Sequence, residues 1–169
     1  VKKLRVQGLD ARFQILGAKD PMHKRGIATE VIDGWIKEGI VEYLGKTDNV
    51  RPYVNAADCV VLPSYREGSP RSLMEAACLS KPIVATNVAG CRQVVIEGVN
   101  GLLCQLQSAE DLAAKMKMMM GLPDSERQAM GENGRKKMET EFSDSIVLNK
   151  YVLALNEVLC ANTEPCFRA

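Results

Sequence analysis

The chain has 169 residues, a length that fits one domain with a sizeable core. Its 46% hydrophobic and 25% charged residues are ordinary for a globular protein. A formal net charge of +1 gives no electrostatic reason to expect nucleic acid or an anionic membrane as partner, and no apolar run approaches the roughly 18 residues of a membrane span.

In chain order, short apolar runs alternate with helix-like segments. "ARFQILG" reads as a strand ending at Gly17. "IATEVIDGWIKEG" reads as a helix with Thr29 as N-cap and Gly39 as its stop. "IVEYLG" is the next strand, and "DNVRPYVNAA" a short helix capped by Asp48. "CVVLPS" is a continuous apolar run of the kind buried in a parallel sheet. "PIVATN" and "GLLCQL" are two further strands, separated by the short helix "CRQVVIEG". The rest reads as helix: "SAEDLAAKMKMMMG" with Ser108 as N-cap, then "DSERQAMGENGRKKMETEF", then "SDSIVLNKYVLALNEVL". The pattern predicts an α/β fold, a Rossmann-like parallel sheet of about five strands at 12–17, 40–44, 59–63, 82–86 and 101–105. Residues 1–160 form the domain and 161–169 a flexible tail.

Six cysteines occur without a C-x-x-C pair, and they read as buried, reduced thiols of a cytoplasmic protein. A zinc site needs clustered Cys and His ligands, and the single histidine, His23, reads as a solvent-facing loop residue. The methionines at 116 and 118–120 read as gap-filling core and surface.

The stretch "YREGSPRSLMEAA" follows directly on "CVVLPS". Ligands of open α/β sheets bind beyond the carboxyl ends of the strands, and this is such an end. Ser69 is suited to cap a helix, and Pro70 to open it, because proline has no N–H to leave unpaired. The free N–H groups of that helix and the positive end of its dipole suit an anion such as diphosphate. Gly68 lets a backbone approach a ligand closely. Glu67 precedes the helix and Glu75 lies about two turns along it. Two carboxylates flanking an anion site suit a nucleotide sugar, which carries hydroxyls on both sides of its diphosphate. On spacing alone E-x7-E is a weak signal, and two solvated acids, one in a loop and one on a helix surface, explain it better.

From Gly45 to Leu103 the sequence resembles the second domain of family 4 (group 1) glycosyltransferases. The resemblance rests on "AAD", "LPS", "EGSPRSLME", "KPIVATNVAG" and "GVNGLL", and extends loosely from Ala11 to Tyr151 through a break at Phe142 and Ser143. It implies the GT-B fold, in which two Rossmann-like domains face each other across a cleft and the second binds the donor. It implies transfer of a sugar, with retention at the anomeric carbon, from a nucleotide sugar (a UDP-sugar) to a glycan or lipid-linked glycan. By the same resemblance Glu67 is the catalytic residue, acting on donor-sugar hydroxyls by positioning and electrostatics. Gly68, Ser69, Pro70, Arg71 and Ser72 receive sugar and diphosphate, Glu75 bonds the ribose, and Gly45 and Lys46 lie beside the base. No cofactor and no metal are implied. The implied location is cytoplasmic, or peripheral on the inner face of the membrane.

Two departures stand out. Pro70 replaces a glycine common in the family, which removes one backbone donor. The basic loop G-R-x-x-x-x-K-G that opens the family's second domain is not found, and "VKKLRVQGLDARF" resembles the end of the helix that follows it. The chain therefore reads as a fragment, inactive alone, whose acceptor would reach it through an absent N-terminal domain. The first strand of the sheet would lie between "ARFQILG" and "CVVLPS", leaving two open edges that could pair directly, self-associate, or take a strand from upstream. The last helix of the family crosses back to the other domain. Alternative readings are a nucleotide-sugar epimerase of related fold and a non-catalytic interaction domain.

Overall fold

Ile83–Thr86 (β4) is buried at every residue, because strands lie on both sides of it and helices cover both its faces. The structure, a computed structural model, describes residues 1–6, 11–19 and 26–161. β4 pairs in parallel with Val60–Leu62 (β3), in register Val60 to Ile83, and with Gly101–Cys104 (β5), in register Ile83 to Gly101. Side chains alternate across this sheet. Ile83 and Ala85 face Arg71–Cys78 (α4), Ala89–Val94 (α5) and Asp124–Glu141 (α7) through Leu73, Ala76, Cys91, Val94 and Met138. Val84 and Leu102 face Ala109–Gly121 (α6) through Met119.

Gln14–Ile15 (β1) and Glu42–Tyr43 (β2) form a separate parallel pair, in register Gln14 to Glu42. All five expected strands are present and parallel, but in two sheets, β1-β2 and β3-β4-β5. Among the described residues, β1 pairs only with β2 and β3 only with β4. Direct closure of β1 on β3 is thus not what the chain does. This also corrects the reading of "CVVLPS" as a fully buried strand. Val60, Val61 and Leu62 are each only half-buried, because one edge of β3 carries no partner strand among the described residues.

The N-terminal segment is helical at Lys2–Val6 (α1), as expected from its resemblance to a helix end, and Leu4 anchors it, 1% exposed. Thr29–Lys37 (α2) ends at Gly39, whose φ of +63° suits glycine. Thr29 is its first residue and not its cap; Ala28 holds the cap position with no side-chain hydrogen bond. Arg51–Ala56 (α3) is not capped by Asp48. The Asn49 side chain takes the Arg51 N–H at 3.2 Å, closer in sequence to the first turn. Ser108 does cap α6, accepting the Asp111 N–H at 3.1 Å. Asp144–Ala161 (α8) follows the break at Phe142 and Ser143, with the Ile146 and Val147 N–H groups bonded to the Ser143 carbonyl at 3.0 Å.

α8 presents Leu148, Tyr151, Val152, Leu155 and Leu159 to solvent. It runs one residue past the domain boundary expected at 160. Of the tail expected at 161–169, residues 162–169 lie outside the described residues, as do His23 and the side chain of Cys160. Cys59, Cys78, Cys91 and Cys104 are free thiols. Cys91 and Cys104 are buried, but Cys78 is exposed, since it ends α4 on the face away from the sheet. Met119 is core at 2% exposure while Met118 is 54% exposed, as the mixed reading of the methionines expects. No described helix is long and apolar enough to cross a membrane.

The turn between α5 and β5 is built on Asn100. Its side chain, 1% exposed, accepts the Ile96 N–H at 2.6 Å and donates to the Val94 carbonyl at 2.9 Å. A buried amide with both ends paired fixes the exit of α5 and the entry of β5. Glu97 adds to the turn by accepting the Leu103 N–H and pairing with Lys115 at 2.6 Å. The "GVNGLL" motif is therefore structural.

Candidate functional site

The carboxyl end of β3 leads through Pro63–Pro70 into α4, which holds most of the predicted site. Three fully buried residues, Leu73, Ala76 and Ala77, hold α4 in the core between the sheet and α7. Its direction is thereby set, with its N-terminus at the carboxyl end of the strand. Among the described residues, no backbone or side-chain acceptor meets the N–H groups of Gly68, Ser69, Arg71 and Ser72. Unpaired donors and the positive dipole end therefore point away from the core.

The helix opens differently from the expectation. Pro70 is the cap, not the first helical residue; its ψ of 101° is extended and its carbonyl accepts the Leu73 and Met74 N–H groups at 3.0 and 3.1 Å. Ser69 does not cap. Its hydroxyl lies 3.5 Å from the Met74 sulfur, so the side chain that could have competed for the first N–H groups is turned aside.

Glu67 and Glu75 are both half-buried, while Gly68, Ser69, Arg71 and Ser72 are exposed. Glu67 lies within the loop, three residues before the Pro70 cap, and Glu75 opens the second turn of α4. A Cβ added to Gly68 meets no protein atom within 4 Å, and its φ is not in the left-handed region. Neither packing nor backbone conformation explains a glycine there. Gly45 differs: its φ is +79°, and its carbonyl accepts the Gly17 N–H at 2.9 Å, while Tyr43 donates its hydroxyl to the Gly17 carbonyl at 2.7 Å. The loops after β1 and β2 are thus tied together. Lys46, beside Gly45, is exposed.

The structure brings Glu67 through Glu75 together on one loop and one helix. It sets Gly45 and Lys46 at the carboxyl end of the other sheet. A cleft of about 480 Å³ lined by Arg5, Arg12, Phe13 and Tyr43, among others, contains none of these residues.

Sequence reasoning missed the neighbours of the loop. Gly90, in the first turn of α5, stands against the backbone of Glu67 and Gly68, and the charge of Glu67 reaches the next residue, Cys91. Burial, and then the negative charge of Glu67, push the Cys91 thiol up to about 11. The only sequence signal was a glycine at a helix start, inside "KPIVATNVAG".

Residues 1–121 match the family described as glycosyl transferases group 1. An uncharacterized glycosyltransferase of Methanocaldococcus jannaschii is 29% identical over 90% of this chain and 41% of its own length. The N,N'-diacetylbacillosaminyl-diphospho-undecaprenol alpha-1,3-N-acetylgalactosaminyltransferase of Campylobacter jejuni is 26% identical over 74% of this chain and 33% of its own length. The chain thus spans well under half of these relatives. Among solved structures, sucrose-phosphate synthase of Thermosynechococcus elongatus superposes with a TM-score of 0.80 at 24% identity, covering 94% of this chain and 41% of that one. HepE of Anabaena, in complex with UDP, superposes with a TM-score of 0.71 at 18% identity, covering 92% and 52%. The likeness shows a shared fold, the Rossmann-like half of the GT-B architecture expected above. By its match over residues 1–121, this chain belongs to the group 1 glycosyltransferases.

Proposed function

We propose that this chain is the donor-binding domain of a retaining glycosyltransferase that uses a UDP-sugar. The observation that carries the reading is the 67–75 element. It combines unpaired N–H donors at the start of an eight-residue helix, a glycine that no protein atom requires, and a carboxylate on either side. Gly68, Ser69, Arg71 and Ser72 donate N–H groups to the diphosphate, and the helix dipole stabilises the charge it gains on leaving. Pro70 donates nothing, so its carbonyl and ring only shape the turn. Glu67 bonds hydroxyls of the donor sugar, and Glu75 bonds the ribose. Gly45 and Lys46 lie beside the base. No divalent metal takes part in this scheme; the leaving charge is met by N–H groups and basic side chains.

The UDP donor is supported by the folds this one shares, several of which hold UDP. The acceptor is a glycan or a lipid-linked glycan, as the name of the Campylobacter relative indicates for that protein. An acceptor on a lipid would keep the enzyme on the inner face of the membrane. The test is calorimetric titration of the full-length protein with UDP, GDP and ADP, followed by a donor-hydrolysis screen with the matching sugars. Binding of UDP that Glu75→Ala weakens about tenfold supports the reading. Failure of all three nucleotides to bind overturns it.

A further inference from the structure

We infer that Gly90 is a positioning residue for the donor loop: its missing side chain sets where Glu67 and Gly68 stand. This rests on the function proposed above. Gly90 is the second residue of α5 and is buried. A Cβ on it would lie 2.5 Å from the Glu67 carbonyl oxygen, 2.6 Å from that of Gly68 and 2.7 Å from the Glu67 carbonyl carbon. All three are backbone atoms, so no rotamer change relieves the clash. Real contacts of this kind essentially never fall below 3.0 Å, so the loop would have to retreat by roughly 0.5 Å or more.

The glycine is not there for its conformation. Its φ is outside the left-handed region, and alanine has the higher helix propensity, so α5 itself does not ask for a glycine. What it provides is close approach. The next residue, Cys91, is buried in the core beneath the same turn and lies within reach of the Glu67 charge. The loop is thus held from the α5 side, while Gly68 is free of protein contact on the other. α4, just beyond the loop, cannot follow a displaced loop, because Leu73, Ala76 and Ala77 are fully buried and α7 packs against its far end. Moving the loop therefore changes the distance between Glu67 and the N–H groups of α4. A misplacement of about 1 Å at a reacting centre can cost on the order of 100-fold in rate.

The experiment uses the full-length protein and three forms: wild type, Gly90→Ala and Gly34→Ala. Gly34 is a helical glycine whose added Cβ meets nothing within 4 Å, so it controls for the change itself. Gly90→Ala is expected to lower kcat for donor turnover by about 10- to 100-fold, with a smaller change in the donor KM. It should also raise the rate of Cys91 alkylation, mapped by mass spectrometry, since the loop covers that turn. Gly34→Ala should match wild type in both. In a Glu67→Ala background, Gly90→Ala should cost little further, because it acts through Glu67. Unchanged kcat and unchanged Cys91 labelling in Gly90→Ala would overturn the inference. Should that variant fail to fold, wild type alone decides: UDP should slow Cys91 alkylation, and an unchanged rate with UDP bound overturns it. Absence of nucleotide binding by wild type is a different failure, that of the proposed function, and leaves the labelling comparison to judge Gly90.

Discussion

Gly131 of α7 packs directly on Ser80, just past the end of α4: a Cβ on Gly131 would stand 1.9 Å from the Ser80 carbonyl oxygen. Ser80 has a φ of +54°, a left-handed turn that ends α4 without a glycine. α7 can approach this turn only because residue 131 has no side chain. The contact fixes the far end of the helix whose near end carries the candidate site. Gly131→Ala should destabilise the protein by about 1–3 kcal/mol, the usual cost of overpacking a tight site. Urea unfolding checks this, and a stability equal to wild type would mean that α7 moves away freely.

Leu73 tests the same helix from the sheet side. It is fully buried among Ala76, Ile83 and Ala85. Leu73→Ala should cost about 2–5 kcal/mol in the urea midpoint analysis, because it leaves a cavity between α4 and β4. A cost under 1 kcal/mol would show that α4 is loosely held.

The two carboxylates should separate kinetically. Glu75→Ala should mainly raise the donor KM, since a ribose contact is alike in ground and transition states. Glu67→Ala should mainly lower kcat, since a contact at the reacting sugar strengthens in the transition state. Steady-state kinetics of the full-length protein decide this. Near-normal parameters for both variants would remove the case for these residues.

The buried thiols predict an alkaline loss of stability. From an ordinary value of 9.0, burial and then the charge of Glu67 push Cys91 up to about 11, and burial pushes Cys59 up to about 12 against the lowering effect of a Val84 backbone hydrogen bond and the Arg127 charge. Above pH 9 the unfolded thiols ionise while the folded ones stay protonated. Their contribution is therefore complete below pH 9 and falls as pH rises toward 11 and 12. Each such thiol adds a slope of about 1.4 kcal/mol per pH unit in that window. Cys91→Ala should show a shallower fall between pH 9 and 11 than wild type. Parallel curves would contradict the burial of this thiol.

Residues 1–169 by themselves should show no sugar transfer, since the residues assigned here bind only a donor and, among the described residues, no segment covers them to exclude water. A radiolabelled-sugar transfer assay on this chain reads the outcome directly, and measurable transfer would refute the division of labour proposed here.

The strands at 60–62, 83–86 and 101–104 were legible because apolar runs bounded by turn residues carry their own signal, and the same holds for α6 with its Ser108 cap. The 67–75 element was legible too, as a glycine and a proline between a strand and a helix. Caps were less so. Ser69, Thr29 and Asp48 are good capping types, yet Pro70, Ala28 and Val50 hold those positions, because a cap depends on a local backbone angle that several neighbours compete to set. Only the tertiary structure decided how the strands divide into two sheets, since pairing is a relation between distant segments. The same is true of Gly90. In sequence it is one small residue at a helix start, 23 positions from Glu67, and its meaning lies in backbone atoms that arrive from another loop.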